Sequence, residues 1–553
     1  MSNAYTRSLT TVTKTPQTRA IPGREAEMER NNAGGVAFTL DAISQLRRFL
    51  ILGTEGGTYY TSEPKLTADN AKVATKLCAE RPAEVADALI WASKNAPRAE
   101  AQLFVLAILA STKTAEARVA AQRAFNSVVK TGTHLYHFVN YVKLLGTRGW
   151  GRSLRSLVGS YFDRDVNNLA LHAVKYRQRD GWTYRDVLRL AHPSPQTPAH
   201  AEVFKFMLDK GWDDFTAPSI LSNYKLATAA SSDGELVALA HSGLPWEAFR
   251  DEQRTPAVWK AMLPNQGVTA VVRNLSTLAR KGLLGDPEVI RILEQKLSQE
   301  SVVRSGVHPL RFLDALLVHR SGGQAGLAAQ WRRSSDIPTH IYTPNKRVLE
   351  LLEAAVGYAF DGQKPTGKKL LVALDVSGSM SGAMCAGSVL LDARMASAVM
   401  AKQHLKDESY LVGFTSTGWQ HGGRSRWGHL YPATIEVLDK SKFSDYGTAV
   451  KYVDGLPMGG TDCALPMLYA TANNLDVDAF IVYTDNETWA GSVQPAEALR
   501  EYRIKSGRKA KLIVVATSVT NFSIADPKDA GMLDVVGMSA DTPAVIDSFI
   551  RGW

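Results

Sequence analysis

In the stretch "LVALDVSGSM", residues 371–380, an apolar run stops at an acid, and two hydroxyls follow at every second position: Asp375, Ser377 and Ser379. Two further segments carry matching chemistry. "GLPMGGTDCALP" places Thr461 behind a glycine pair, where backbone can approach a ligand closely. "FIVYTDNET" puts Asp485 at the end of another apolar run. Together they offer two carboxylates and three hydroxyls, all hard oxygen donors. Such a set suits Mg2+, or another divalent cation, which takes about six oxygens and keeps some water. A position would remain for a carboxylate from a partner protein or ligand. Two other readings exist. DVSGS alone could be a Ser/Gly turn after a strand. A phosphotransfer hydrolase would place a second acid two residues after the first, one attacking and one protonating. Ser377 stands there instead, so no catalytic residue is assigned.

A second signal lies in residues 141–192, where ten Lys or Arg face four Asp or Glu, a net +6 within a chain whose formal charge is +10. Lys175 and Arg179 are four apart, and a helix running through them would set both on one face. Arg152 and Arg155 are three apart, just inside a helix start after "GTRGWG" with its Arg148; helix starts themselves attract phosphate. Arg177 lies between the first pair. Tyr176, Trp182 and Tyr184 are interleaved, and aromatics can stack on unpaired bases. The same pattern also fits a solvated face with its aromatics turned inward. His192, before Pro193, could equally cap its helix.

These residues need two kinds of support. From about 36 to 360, segments such as "LDAISQLRRFLIL", "AEAQLFVLAILAST" and "VNNLALHAVKYRQR" carry apolar residues at helical spacing, with helix-ending residues between them. Short helices joined by short turns over this length predict a helical-repeat solenoid. After a Gly/Pro-bearing linker at 360–369 the pattern alternates: strands at "KLLVALDV", "SYLVGFTS", "DAFIVYTDN" and "AKLIVVATS", helices between and after them. That is a doubly wound α/β domain, whose ligands sit beyond the carboxyl ends of its strands.

The totals narrow the field. A chain of 553 residues exceeds one core. No segment approaches about 18 consecutive apolar residues, so no membrane span is predicted. The N-terminal residues lack an apolar signal region and read as a polar, poorly ordered lead-in. Cys78, Cys385 and Cys463 are scattered and odd in number, which fits a reducing cytoplasm and neither a disulfide framework nor a zinc site. The basic balance points toward a polyanion.

The strand-end pattern resembles the metal-ion-dependent adhesion site of von Willebrand factor A domains, whose Asp-x-Ser-x-Ser, Thr and Asp match Asp375, Ser377, Ser379, Thr461 and Asp485. Longer stretches, among them "NNAGGVAF", "RRFLILGTEGGTYYTSEPKLTADNA", "KYRQRDGWTYRDVLRLAHP" and "VYTDNETWAGSVQPAEALREYR", resemble the Ro autoantigen family from about residue 31 to the end. The likeness is to a bacterial member. It implies a polar tail over 1–30, a TROVE domain of HEAT-like repeats over 31–360 bent into a ring, and a closing A domain over 366–553. It implies noncoding RNA as partner: single-stranded 3′ ends of defective RNAs in a basic hole, Y RNA on the outside. An outer-surface Lys, Arg and His of the family match Lys175, Arg179 and His192. Bacterial members work with 3′→5′ exoribonucleases, and a ring closed within one chain predicts a monomer. The stretch 416–436 departs from the pattern in being longer and more basic. A metal-dependent adhesion scaffold without RNA is the competing reading.

Overall fold

Residues that favour helix starts stand where the amphipathic segments begin. Thr114, Thr131, Asp165, Thr197 and Ser298 each accept a backbone N–H from the first turn of the helix they precede. Thr183 and Ser232 form capping boxes with Asp186 and Glu235. The computed structural model describes residues 14–54, 60–146, 149–323, 342–360, 365–381, 391–415, 434–456 and 458–552. The chain divides into two units: Ala71–Lys94 with Arg98–Ala359, and Met1–Asn70 with Asn95–Pro97 and Phe360–Trp553.

The first unit is almost wholly helical. Its helix Glu100–Ser111 buries Leu103, Val105, Leu106 and Leu109 and packs on the helices Ala115–Val128 and Gly132–Leu145. A helix apolar on all sides belongs in such an interior.

Among the described residues the strands are β1 (Met28–Arg30), β2 (Val36–Thr39), β3 (Gln178–Arg179), β4 (Trp182–Thr183), β5 (Leu370–Asp375), β6 (Ser409–Thr415), β7 (Thr434–Val437), β8 (Ala479–Thr484), β9 (Lys511–Ala516), β10 (Phe522–Ser523) and β11 (Met532–Val536). The main sheet has the order β11-β9-β8-β5-β6-β7 and is parallel except at its β6–β7 edge. Every residue of β5 and β8 is buried, as in a strand covered on both faces. From β5 the chain moves to β6 and β7 on one side, then returns to β8 on the other. The order therefore reverses between β5 and β8, and a crevice opens at their carboxyl ends.

The N-terminal segment corrects the expected loose lead-in. Residues 14–70 belong to the unit with the sheet, because β2 pairs with β10 as well as with β1. Gln17 is fully buried and Thr15 nearly so, its hydroxyl donating to Glu497 at 2.9 Å. The helix Ala42–Leu52 is tied to the same unit by Arg48. That guanidinium, wholly buried, donates to the carbonyls of Thr520 and Phe522 and pairs with Asp534 at 2.5 Å. The expectation of helix from residue 36 also gives way at β2, whose Val36, Ala37 and Phe38 are buried. The basic insertion expected at 416–436 lies outside the described residues as far as 433.

Candidate functional site

The reversal point between β5 and β8 gathers the oxygen-bearing residues. Asp375 ends β5, and Asp485 follows the last residue of β8, Thr484. The Thr484 hydroxyl donates to Asp375 Oδ2 at 2.7 Å, and the Ser377 amide donates to Oδ1 at 2.9 Å. A turn of 3-10 helix, Gly378–Met380, brings the Ser379 hydroxyl within 3.1 Å of Ser377 Oγ, and it also bonds Asp485. The glycine pair before Thr461 does what the sequence requires: the Gly378 amide donates to the Gly459 carbonyl at 3.0 Å, bringing the two loops together. All five side chains are buried, Asp375 and Thr461 completely.

The electrostatics of this cup are unbalanced. Burial, then the charge of Asp485, pushes the Asp375 carboxyl up to about 7. Burial also raises Asp485. Among the described residues neither carboxylate forms an ion pair, and Thr461 Oγ1 is buried without a hydrogen-bond partner. Two buried acids and an orphaned hydroxyl converge, which costs free energy unless something charged completes them. The described residues hold no cluster of three or more His, Cys, Asp or Glu that could bind a metal, so hydroxyls set the character of this donor group. The residues fit a hard divalent cation.

The N-terminal segment braces the residues that follow Asp485. The Asn32 side chain donates to Glu487 Oε1 at 2.7 Å, and the Ala33 amide to Oε2 at 3.0 Å. Burial and Asp485 push Glu487 up to about 8. Asn31 donates to the Thr488 carbonyl at 2.7 Å. Gly35 must be glycine for this approach, since a Cβ would sit 1.8 Å from that carbonyl oxygen. Burial and the charges of Asp485, Glu487 and Asp375 raise the Tyr60 phenol, which stands beside the cup.

In the helical unit, the helix Val166–Lys175 stops where the basic segment begins. Tyr176 leaves helical geometry, and β3 and β4 form a tight hairpin instead. Asp180 and Gly181 both take positive φ, 50° and 79°, as this two-residue turn demands. Arg179 therefore lies on a hairpin and not on a helix face with Lys175, which corrects the four-residue spacing argument. Tyr184 is also corrected: it is buried, bonded to the Tyr161 hydroxyl at 3.0 Å, and free to stack on nothing outside the core. Tyr176 and Trp182 are half-buried. A cleft of about 840 Å³ opens here, lined by Lys175, Arg177, Arg185, Arg189, Tyr224 and Glu247 among others. Arg177 lies over the Tyr224 ring, 5.4 Å from its centroid.

Comparison with known proteins decides the family. A TROVE domain model matches residues 29–217 and 230–353, and a Ro60 vWA domain model matches 369–550. The chain is 38% identical to RNA-binding protein RO60 of Deinococcus radiodurans over 97% of both chains. It is 31% identical to RNA-binding protein RO60 of Caenorhabditis elegans, covering 94% of this chain and 90% of that one. It superposes on the crystal structure of the Deinococcus radiodurans RO (RSR) protein with a TM-score of 0.66 at 36% identity, covering 93% of this chain and all of the other. The chain belongs to the Ro60 family. Its fold is that of the family: mostly helical, with a C-terminal von Willebrand factor A domain built on a mixed, largely parallel sheet.

Within this Ro60-family chain Asp375, Ser377, Ser379 and Asp485 are linked by hydrogen bonds with Thr461 on the adjoining loop, whereas the basic residues gather only in part. Lys175 and Arg177 share the cleft. Arg179 is exposed on the hairpin beside Asp180, and His192 is exposed at the left-handed cap of the helix Tyr184–Ala191, its amide donating to Leu188. Neither lines the cleft. Arg152 and Arg155 are exposed on the helix Arg152–Gly159, which buries Leu154, Leu157 and Val158. Arg148 lies outside the described residues. Arg185 and Arg189 were not singled out from sequence, although they alone of these cations stand four apart on one helix. Tyr60 and Glu487 were also missed as neighbours of the cup; both sit inside the quoted "GTEGGTYY" and "TDNETWAG" motifs.

Proposed function

We propose that this chain binds noncoding RNA and does so without catalysing its cleavage. The observation that carries this is the 38% identity, over 97% of both chains, to a protein named RNA-binding protein RO60. The cleft supplies a physical route: Lys175, Arg177 and Arg189 bring cations to it beside the Arg185–Asp209 ion pair, and phosphate contacts dominate nucleic-acid affinity. Arg179, His192, Arg152, Arg155 and Arg148 belong to the same basic segment and are assigned as supporting phosphate contacts. By family resemblance the RNAs are Y RNA and 3′ ends of defective transcripts, handed to a 3′→5′ exoribonuclease. The chain is read as a cytoplasmic monomer; Cys78 and Cys463 are free and buried. Among the described residues no helix is long and apolar enough to cross a membrane.

The cup is assigned to Mg2+ or a similar cation, held by Asp375, Ser377, Ser379, Thr461 and Asp485, with one position for a partner's carboxylate. When bound, the cation supplies charge that the two buried acids lack. Ser377 takes the place of a second acid, which supports adhesion over hydrolysis.

The test is Lys175→Ala with Arg177→Ala, assayed against duplex-bearing RNA over a salt series. Loss of two phosphate contacts lowers affinity about tenfold or more at moderate salt and flattens the log–log salt slope by about 2. Unchanged affinity and slope in a folded variant would remove the cleft from RNA binding.

A further inference from the structure

Phe215 is 99% exposed, on a segment that is otherwise firmly held. Asp213 Oδ1 accepts from the Phe215 amide at 3.1 Å, and Oδ2 accepts from the Thr216 hydroxyl at 2.5 Å. The Asp213 amide donates to Glu202 at 2.7 Å. Asp214 accepts from Ser222 at 3.2 Å and from Lys225 at 3.1 Å, both on the helix Ser219–Ala229. The backbone on either side of Phe215 is thus fixed while its ring touches only solvent.

The segment also joins the cleft through a run of aromatic contacts. Tyr224, which lines the cleft, meets Phe206 edge-on at 5.8 Å, and Phe206 meets Trp212 edge-on at 6.2 Å. Lys225 lies over Trp212 at 5.4 Å. Phe215 lies three positions after Trp212, a reach of at most about 10 Å. A fixed, bare aromatic ring thus follows closely in sequence on Trp212, whose own ring packs on Phe206 of the cleft wall.

We propose that Phe215 is a stacking platform for an unpaired base of single-stranded RNA whose phosphates lie against the cleft at Lys175 and Arg177, a proposal that rests on the RNA-binding reading above. Every base presents a π-face, so such a platform is indifferent to sequence. Lys225 is held by Asp214 at 3.1 Å, so the phosphates are drawn by the cleft and not by this segment. An apolar protein partner would be served poorly here, because Asp213, Asp214 and Lys225 ring the aromatic and would have to be desolvated.

The experiment compares two RNA probes on the full chain: a hairpin with an oligouridine 3′ extension, and the same hairpin with a blunt end. Phe215→Ala weakens binding of the extended probe about tenfold, within the range for one stacked base, and leaves the blunt probe and the salt slope unchanged. Phe215→Trp retains the wild-type affinity for both. The proposal is overturned if Phe215→Ala changes extended-probe affinity by less than about twofold, the outcome also expected of a surface for protein. Equal losses on both probes overturn it as well. Failure of the underlying reading looks different: the Lys175→Ala, Arg177→Ala variant then binds both probes as the wild type does.

Discussion

Removing the side chain of Gln17 should destabilise the A-domain unit far more than a position near a chain end suggests. The amide is completely buried and uses both its ends. Its Nε2 donates to Asp462 Oδ1 at 2.7 Å and to the Val493 carbonyl at 2.9 Å. Its Oε1 accepts from the Thr488 hydroxyl at 2.5 Å and from the Gly491 amide at 3.1 Å. Gln17→Ala removes all four. Neutral hydrogen bonds contribute about 1 kcal/mol net, one to a carboxylate about 2, and stranded buried partners add to the loss, so about 3–5 kcal/mol is expected. Asp462 makes the direction firm: burial already raises it, and the Gln17 hydrogen bond opposes that rise. The assay is hydrogen exchange at β8 and β9 amides, which reports the opening of this unit alone. A cycle with Thr488→Val should show coupling of about 1 kcal/mol. A loss below about 1 kcal/mol, with no coupling, would mean that the segment merely lies on the surface.

The buried histidines predict acid sensitivity. Burial lowers His172 to about 3 and His404 to about 4, from an ordinary value of 6.5, so both fold as neutral rings. A depressed folded pKa gives stability that is present above 6.5 and lost as pH falls toward the folded value. Each should cost about 2 kcal/mol by pH 5, read from urea unfolding at pH 8 and pH 5. His172→Gln should flatten that slope for the helical unit, and an unchanged slope would refute the assignment. For the cup, Mg2+ at a hundredfold excess over Kd should stabilise the A-domain unit by about 2.7 kcal/mol, read as a raised melting temperature. Asp485→Asn should abolish the rise while leaving RNA affinity unchanged; a retained rise would place the cation elsewhere.

Much of the cup was legible because its logic is local. An apolar run ending in an acid marks a strand end, and the glycines before Thr461 mark a close approach; both hold whatever lies far away in sequence. The bracing of Glu487 by Asn32 and Ala33 joins residues more than 450 positions apart, and polar side chains carry no periodicity to announce burial. Gln17 looked like tail for the same reason. The hairpin after Lys175 was legible in principle, since Asp180-Gly181 is a strong two-residue turn signal. It lost to the helical spacing of "LALHAV", which ends one turn sooner than the basic residues suggest. The cleft could not be read at all, because Tyr224 and Glu247 arrive from helical segments some 40 to 70 residues further along.

The two proposed binding surfaces answer to different physics, and this separates them experimentally. Arg177 and Arg189 are exposed, and their attraction for phosphate is screened over about 8–10 Å at physiological salt. Asp375 and Asp485 are buried, so monovalent salt screens them little, whereas a divalent cation would meet a charge deficit that protein groups leave open. Raising monovalent salt should therefore release RNA before it alters Mg2+-linked melting, and a chelator should lower melting without releasing RNA. Coupled responses would mean that the cation and the phosphates share one electrostatic site, and the exposed cleft would then be the wrong place to look for the RNA.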